Sequence, residues 1–565
     1  MWRIETREIL EIGKFFFSKK TLLAFAFLLP LTLAARASDP CDTLVMPPGV
    51  GVSGPSDVTS LNPLLADSIM NQQVANLIFA QLITVDQNDV IDYEHSLASK
   101  IEVLDNGQRY RVTLRPWPWS DGKPVTSDDV LYTWQEIQKL GRNYINYGSG
   151  GVPEKISGFT VLNPAQFEIR LKIPANPEWF ELNGLEQLLP MPRHIWRNLS
   201  TDQLYEAQSD PKLFRVSDGP YQIEKFTMGR LISFVPNPVY PLEHGAFKRV
   251  VLKFLNSDGA ELQGSQAGEL DLANLPHAAY DAGSSLTNSH LEPAPPPFGY
   301  GYIGLNFRNP EVGFFKELAV RQAMQESIDQ KAMIDKLWHG FGVEGYGPVP
   351  GVPNTYLSPA AKSGRYPDSY NPAKAIATLD HAGWRPGPDG IRVKDGVRLE
   401  FTLMVPSGTD TSIMMAELMQ PWLLQSGIAM RIQPTDFNQM LATIQRGVAK
   451  WQAYTLEWST NEFPSGETVF DTGGENNYTG YTDPKMDQLI IDSTTKPGLD
   501  ALYAYQDYAT EQLPYIFLPE TTDAMLVKNG IGGTDRLLTP GAGFNPQLLT
   551  LNQEACHAAH ARIAR

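Results

Sequence analysis

Basic side chains are scarce in this 565-residue chain: 46 Lys and Arg stand against 63 Asp and Glu, a formal net charge of −17. Nucleic-acid binding needs a basic footprint, so that class is excluded, and adhesion to anionic lipid is disfavoured with it. Cysteine is scarcer still, with only Cys41 and Cys556, one near each end. Such a pair can join in an oxidising compartment and tie the termini together, or remain as two separate thiols on frayed tails. The nine histidines are scattered, and only His557 and His560 of "CHAAH" lie close together. That tail is read as holding no metal, and nothing else recruits a cofactor. The G-x-S-x-G elbow, the H-E-x-x-H helix, the Walker A loop and the dinucleotide glycine fingerprint are all missing. Sequence alone singles out no glycosidase-type pair among so many carboxylates. No catalytic machinery can be named. Low-complexity tracts and internal repeats are also absent.

What is present begins with an N-terminal targeting pattern. Arg3, Arg7, Lys14, Lys19 and Lys20 precede the apolar core "TLLAFAFLLPLTL", and "ARA" at Ala35–Ala37 is a small-x-small cleavage site before Ser38. The apolar run falls short of the ~20 residues that span a bilayer. Cleavage near Ala37–Ser38, with export to the periplasm, is the expectation; an uncleaved anchor is the alternative. A lipid-modified Cys41 is disfavoured because Asp39-Pro40 precedes it. No later run is long and apolar enough to cross a membrane.

The length predicts two or more lobes. "DSIMNQQVANLIFAQLITVD" predicts a helix running into a short strand, and "RYRVTL" and "QFEIRLKI" alternate as strands. In "WSDGKPVTSDDVLYTWQEI", Asp121-Gly122 predicts a turn, and Thr126 or Ser127 is placed to cap a helix. "DGPYQIEKFTMGRLISFVPNP" predicts two strands through Met228-Gly229. The stiff run Pro293–Pro297 then feeds the alternating "YGYIGLNF" and a helical stripe in "ELAVRQAMQESIDQKAMIDKLW". Alternating strands and helices predict two α/β lobes joined near residues 293–299 and rejoined near "PYIFLPETTD".

Four blocks carry a family resemblance: "LRPWPWSDGKPVTSDDVLYTWQEI", "SDGPYQIEKF", "YGYIGLNF" with "LAVRQAMQESID", and "NYTGYTDPKMDQLI". In this order they resemble the extracellular solute-binding proteins of ABC transporters, family 5, the peptide/nickel group. The resemblance implies an α/β, two-lobed periplasmic-binding-protein fold of type II, in the large cluster with an extra subdomain in the first lobe. The boundaries it suggests are a signal peptide at 1–37, lobe I at 38–297 with a subdomain near 61–189, lobe II at 298–518, and a return to lobe I at 519–565. It implies a monomer that closes on a small-molecule ligand and delivers it to the inner-membrane permease subunits of an ABC importer. No enzyme activity, cofactor, nucleic acid or membrane insertion after cleavage goes with it. The alternative is an exported enzyme or periplasmic chaperone on the same scaffold. Trp119 and Arg321 of these blocks are read as structural.

"LEWSTNEFPSG" falls where peptide-binding members have a Trp followed three residues on by the aspartate that holds the peptide ammonium. Here that position is Asn461, and "MVPSGTDTSIMM" lacks the arginine that dipeptide-binding members use for the ligand carboxylate. An amide brings no charge to offset desolvation. The resemblance thus implies a ligand that is uncharged or differently charged: a modified peptide, a sugar or a hydrophobic molecule. Expected site residues are Trp458, Asn461, Tyr300, Tyr302, Glu462 and Arg308. The direction of Glu462 is not readable from sequence.

Overall fold

The computed structural model describes residues 39–50, 57–255, 257–275, 279–294, 298–366, 368–407, 410–446, 450–540 and 543–563. The targeting segment and part of the Pro293–Pro297 run lie outside the described residues. Residues from Pro40 onward form one unit.

Three sheets come mainly from the half of the chain before residue 298. Thr43–Met46 pairs in parallel with Arg249–Lys253, and the hairpin strands Leu231–Pro236 and Tyr221–Thr227 complete that sheet antiparallel. Ala98–Leu104, Arg109–Leu114, Gln166–Leu171 and Ile156–Asn163 form a separate antiparallel sheet. In the third, the late strand Ala524–Lys528 inserts between Ser289–Pro293 and Leu272–Leu275. The chain therefore returns to its earlier half.

The expected strand after the Ile69–Ile78 helix does not form. Only an isolated bridge joins Val85 to Ile91, because the Asp86 carboxylate accepts from the Asn88 and Val90 amides and folds the segment into a turn. The predicted corner before Ser127–Leu140 is present. Thr126 donates from both its backbone N and its Oγ1 to Asp129 Oδ2, at 2.9 Å each, and Trp119 is fully buried beneath it.

The later half is built on a five-stranded sheet in the order Ala429–Thr435, Glu400–Pro406, Ala453–Ser459, Gly299–Leu305, Tyr515–Phe517. Both neighbours of Glu400–Pro406 run parallel to it, while Gly299–Leu305 is antiparallel to both of its own. All seven residues of Gly299–Leu305 are buried, as for a strand covered on both faces. Helices Leu318–Ser327 and Asp500–Gln512 belong to this half.

Cys41 and Cys556 are bonded, with Cα atoms 6.2 Å apart. Both are buried. Linking residues so far apart in sequence restricts the unfolded chain, and such bridges typically contribute about 2–4 kcal/mol. Among the described residues, both clusters of metal-ligand side chains include Cys41, whose sulfur this bond occupies. No helix of the described residues is long and apolar enough to cross a membrane.

Candidate functional site

Strand Ala453–Ser459 places Trp458 opposite Tyr300, and then the chain leaves the sheet. Polar contacts fix the turn that follows. Thr460 donates from N and Oγ1 to Phe298 O, at 3.0 and 2.9 Å. Asn183, from the earlier half, clamps Phe463 reciprocally: its Nδ2 donates to Phe463 O and its Oδ1 accepts from Phe463 N, both at 2.9 Å. Asn461 Nδ2 donates to Ser149 Oγ at 2.7 Å, and Gly150 N donates to Glu467 Oε1 at 3.2 Å. Gly466 closes the loop with φ +72°, and a Cβ there would lie 2.0 Å from the Tyr505 hydroxyl oxygen. The polar stretch after Trp458 is thus the seam at which one half of the protein docks on the other.

A cavity of about 300 Å³ opens beside this seam. Helix Ile69–Ile78 supplies one wall with Gln72 and Gln73, the 144–189 segment supplies Glu186 and Gln187, and the seam loop supplies Asn461 and Glu462. Asn461 also lines two smaller voids, of about 30 and 20 Å³. The first holds Tyr300 and Trp458 behind the loop; the second holds Asp89 and Phe298.

The electrostatics are one-sided. Glu462 is 5% exposed, and it lines the cavity together with Glu186. Burial pushes Glu462 up to about 7, against hydrogen bonding from its own backbone N–H and from Glu186, which hold it lower. Glu186 is raised well above the carboxylate range by burial, then by the charges of Glu462 and Asp89. Asp89 is 7% exposed and is raised by burial and then by Glu462, Asp86 and Glu178. Its turn docks on the later half, where Thr355 Oγ1 donates to Asn88 O and Tyr356 Oη donates to Glu178 Oε1 at 3.0 Å. No Lys, Arg or His lines the cavity among the described residues.

Of the expected site residues, Asn461 and Glu462 are brought together on the cavity. Trp458, half-buried, and Tyr300, 3% exposed, line only the small void behind them. Tyr302 lies elsewhere: it is 2% exposed and stacks on Tyr515 with ring centroids 4.1 Å apart, because a strand buried on both faces sends this side chain into the core. Arg308 is exposed outside the cavity, where its Nη2 donates to Tyr478 O at 2.7 Å and its side chain lies against Gly480. Sequence reasoning missed Glu186 and Asp89. The polar pair Glu186-Gln187 inside the apolar run "GLEQLLP" was the available signal; Asp89, in the polar turn "DQND", had none.

Residues 92–480 match the family described as bacterial extracellular solute-binding proteins, family 5 (middle). The oligopeptide-binding protein AppA of Bacillus subtilis is 25% identical over 486 residues, covering 84% of this chain and 86% of that one. The oligopeptide-binding protein OppA of the same species is 22% identical over 523 residues, covering 86% and 89%. Among solved structures, AppA from Bacillus subtilis in complex with a nonapeptide superposes with a TM-score of 0.69 at 23% identity, covering 90% of this chain and 99% of that one. NikZ from Campylobacter jejuni in complex with Ni(L-His) gives a TM-score of 0.73 at 21% identity, covering 90% and 100%. At such identities the solved structures speak to the fold, which is the two-lobed type II fold; the family match speaks to kind, since these proteins bind solutes rather than transform them. With residues 92–480 matching its profile, the chain belongs to the bacterial extracellular solute-binding proteins of family 5.

Proposed function

We propose that this protein is the periplasmic receptor of an ABC importer, capturing a small organic solute between its lobes and presenting the closed form to the inner-membrane permease. The observation that carries this reading is the cavity of about 300 Å³ walled by both halves of the chain, to which the seam loop and the 144–189 segment both contribute. A ligand touching both walls favours the closed population, which is how two-lobed binding proteins signal occupancy. The lobe boundaries near residues 297 and 518, cleavage after Ala37 and a monomeric state belong to the same proposal. The return of Ala524–Lys528 to the earlier sheet supports the second boundary.

The cavity also supports a limit on size. It lies at the small end of the ~300–1,000 Å³ typical of ligand sites. The relative AppA was solved with a nonapeptide; such a chain is about 30 Å long when extended and fits this cavity poorly. A ligand of amino-acid or dipeptide size suits it. Free nickel is a poor candidate, since no histidine lines the cavity among the described residues.

A calorimetric screen of small solutes, with chemical analysis of what is recovered, tests the reading. Saturable one-to-one binding with the solute returned unchanged is expected. Steady conversion of a bound solute would instead favour an exported enzyme on this scaffold.

A further inference from the structure

We propose that the Cys41–Cys556 pair, once reduced, is a zinc site, with sulfurs from Cys41 and Cys556 and nitrogens from His557 and His560. In sequence the tail "CHAAH" offers one thiol and two imidazoles, one ligand short of a closed site. The fold brings the missing thiol from the other end of the chain. Helix Gln553–Ile563 carries Cys556 and His560 four residues apart, on one face. Cys41 Sγ, Cys556 Sγ and a ring nitrogen of His560 all lie within 4.8 Å of one another. His557 reaches the same sulfur from the next position, its Nδ1 3.7 Å from Cys41 Sγ. Two thiolates and two imidazoles are a tetrahedral set that suits zinc over harder divalent ions. None of the four lines the solute cavity, so this site is separate from it.

Contacts other than the disulfide hold the ligands in place. On one side, strand Thr43–Met46 follows Cys41 and is fixed by its pairing with Arg249–Lys253 and by Val45 N, which donates to Asp271 Oδ2 at 2.7 Å. On the other, Asn552 N donates to Gly530 O at 2.7 Å, and Asn552 Oδ1 accepts from Ala555 N at 3.0 Å. The helix start is thus docked and capped just before Cys556. Asp271 ties the two sides together. Its Oδ1 accepts from Lys528 Nζ at 2.9 Å, and that Nζ lies 3.0 Å from His560 Nε2. Cutting the bond therefore frees two sulfurs without freeing the segments that carry them. The Lys528 ammonium, one contact away from the ligand set, favours thiolate over thiol. A cation on His560 Nε2 takes that nitrogen from Lys528, which keeps Asp271 as its partner.

The chemistry balances in two steps. A dithiol reductant gives two electrons and two protons to the protein disulfide, leaving two thiols here and a disulfide on the reductant. Zinc(II) then displaces both thiol protons to solvent, so that two H⁺ leave as one Zn²⁺ is bound. The disulfide and zinc forms exclude each other, because each uses both sulfurs.

The test uses the full exported chain, oxidised or reduced anaerobically with dithiothreitol that is then removed. Cobalt(II) is the optical probe and zinc(II) its competitor. One cobalt per reduced chain is expected, with thiolate-to-cobalt charge-transfer and strong tetrahedral d–d bands that zinc abolishes. Oxidised protein should show neither. His560→Ala should weaken zinc binding about a hundredfold or more, since losing even an outer partner costs about ten- to a hundredfold. His557→Ala should shift the d–d bands and also weaken binding. Absence of charge-transfer bands in reduced protein that keeps its native circular dichroism would overturn the proposal. Bands and affinity unaltered in the double variant His557→Ala/His560→Ala would do the same, as would a charge-transfer band in Cys41→Ser/Cys556→Ser. Equal cobalt binding by oxidised protein, or a reduced chain that unfolds and is not refolded by zinc, would overturn it too.

Discussion

Unliganded protein should be distinctly more stable at about pH 5.5 than at about pH 8.5. The reason lies in acids buried without a cation. Glu520 is 8% exposed; both of its oxygens accept from Gly351 N at 2.8 Å, and burial pushes it up to about 8. Glu462 stands at about 7. Asp218, fully buried with Oδ2 unpartnered, is raised well above its ordinary value by burial, as are Asp89 and Glu186. Each binds its proton more tightly folded than unfolded. Its stabilising contribution is therefore full below about pH 4, where both states are protonated, and is lost as pH rises through the folded value. For Glu520 alone, at about 1.4 kcal/mol per pH unit, the loss is of the order of 4 kcal/mol. Acids held low by partners, such as Asp483 beside Tyr508, act oppositely but only at the acid end. Chemical denaturation across this range checks the sign. Glu520→Gln should remove a large part of the slope, and a flat or rising profile would contradict the assignment.

Arg321→Met should cost about 3–5 kcal/mol while leaving ligand affinity in the surviving folded protein unchanged. Arg321 is 5% exposed, and its Nε and Nη2 both donate to Gln512 O, at 3.0 and 2.9 Å. Its Nη1 donates to Phe315 O at 2.7 Å, and the guanidinium lies 5.4 Å over the Phe307 ring. It thus closes the C-terminal end of Asp500–Gln512, where the helix dipole favours a cation. Methionine keeps the stem's bulk but leaves two buried carbonyls without their donors. Urea denaturation monitored alongside solute titration checks both halves of the statement. A loss below about 1 kcal/mol would show that other donors replace the guanidinium.

The parts of the fold that local chemistry dictates were legible in the sequence. Alternation in "YGYIGLNF" and "QFEIRLKI" became strands, and Thr126 with Asp129 became a helix start, because each signal is contained within a few residues. Arg321 was read as structural, and it caps a helix whose last residue lies nearly two hundred positions away in sequence. The site was less legible, for a physical reason. Glu462 reaches the cavity together with Glu186, from a distant part of the chain, and no periodicity reports which way a loop carboxylate points. Tyr302 shows the complementary failure. It alternates with Tyr300 along one strand, yet a strand covered on both faces leaves burial unable to tell cleft from core. Asn461, singled out for its place after Trp458, does line the cavity, with its amide nitrogen on Ser149 Oγ.

Native mass spectrometry of protein purified from its exported form without unfolding tests the central claim most directly. Closed binding proteins release ligand slowly, and this cavity is walled by both halves of the chain. The account predicts a one-to-one adduct of small-molecule mass that disappears after unfolding and refolding and returns when the released fraction is added back. Only the bare protein mass, in material that also takes up no solute from that fraction, would contradict it.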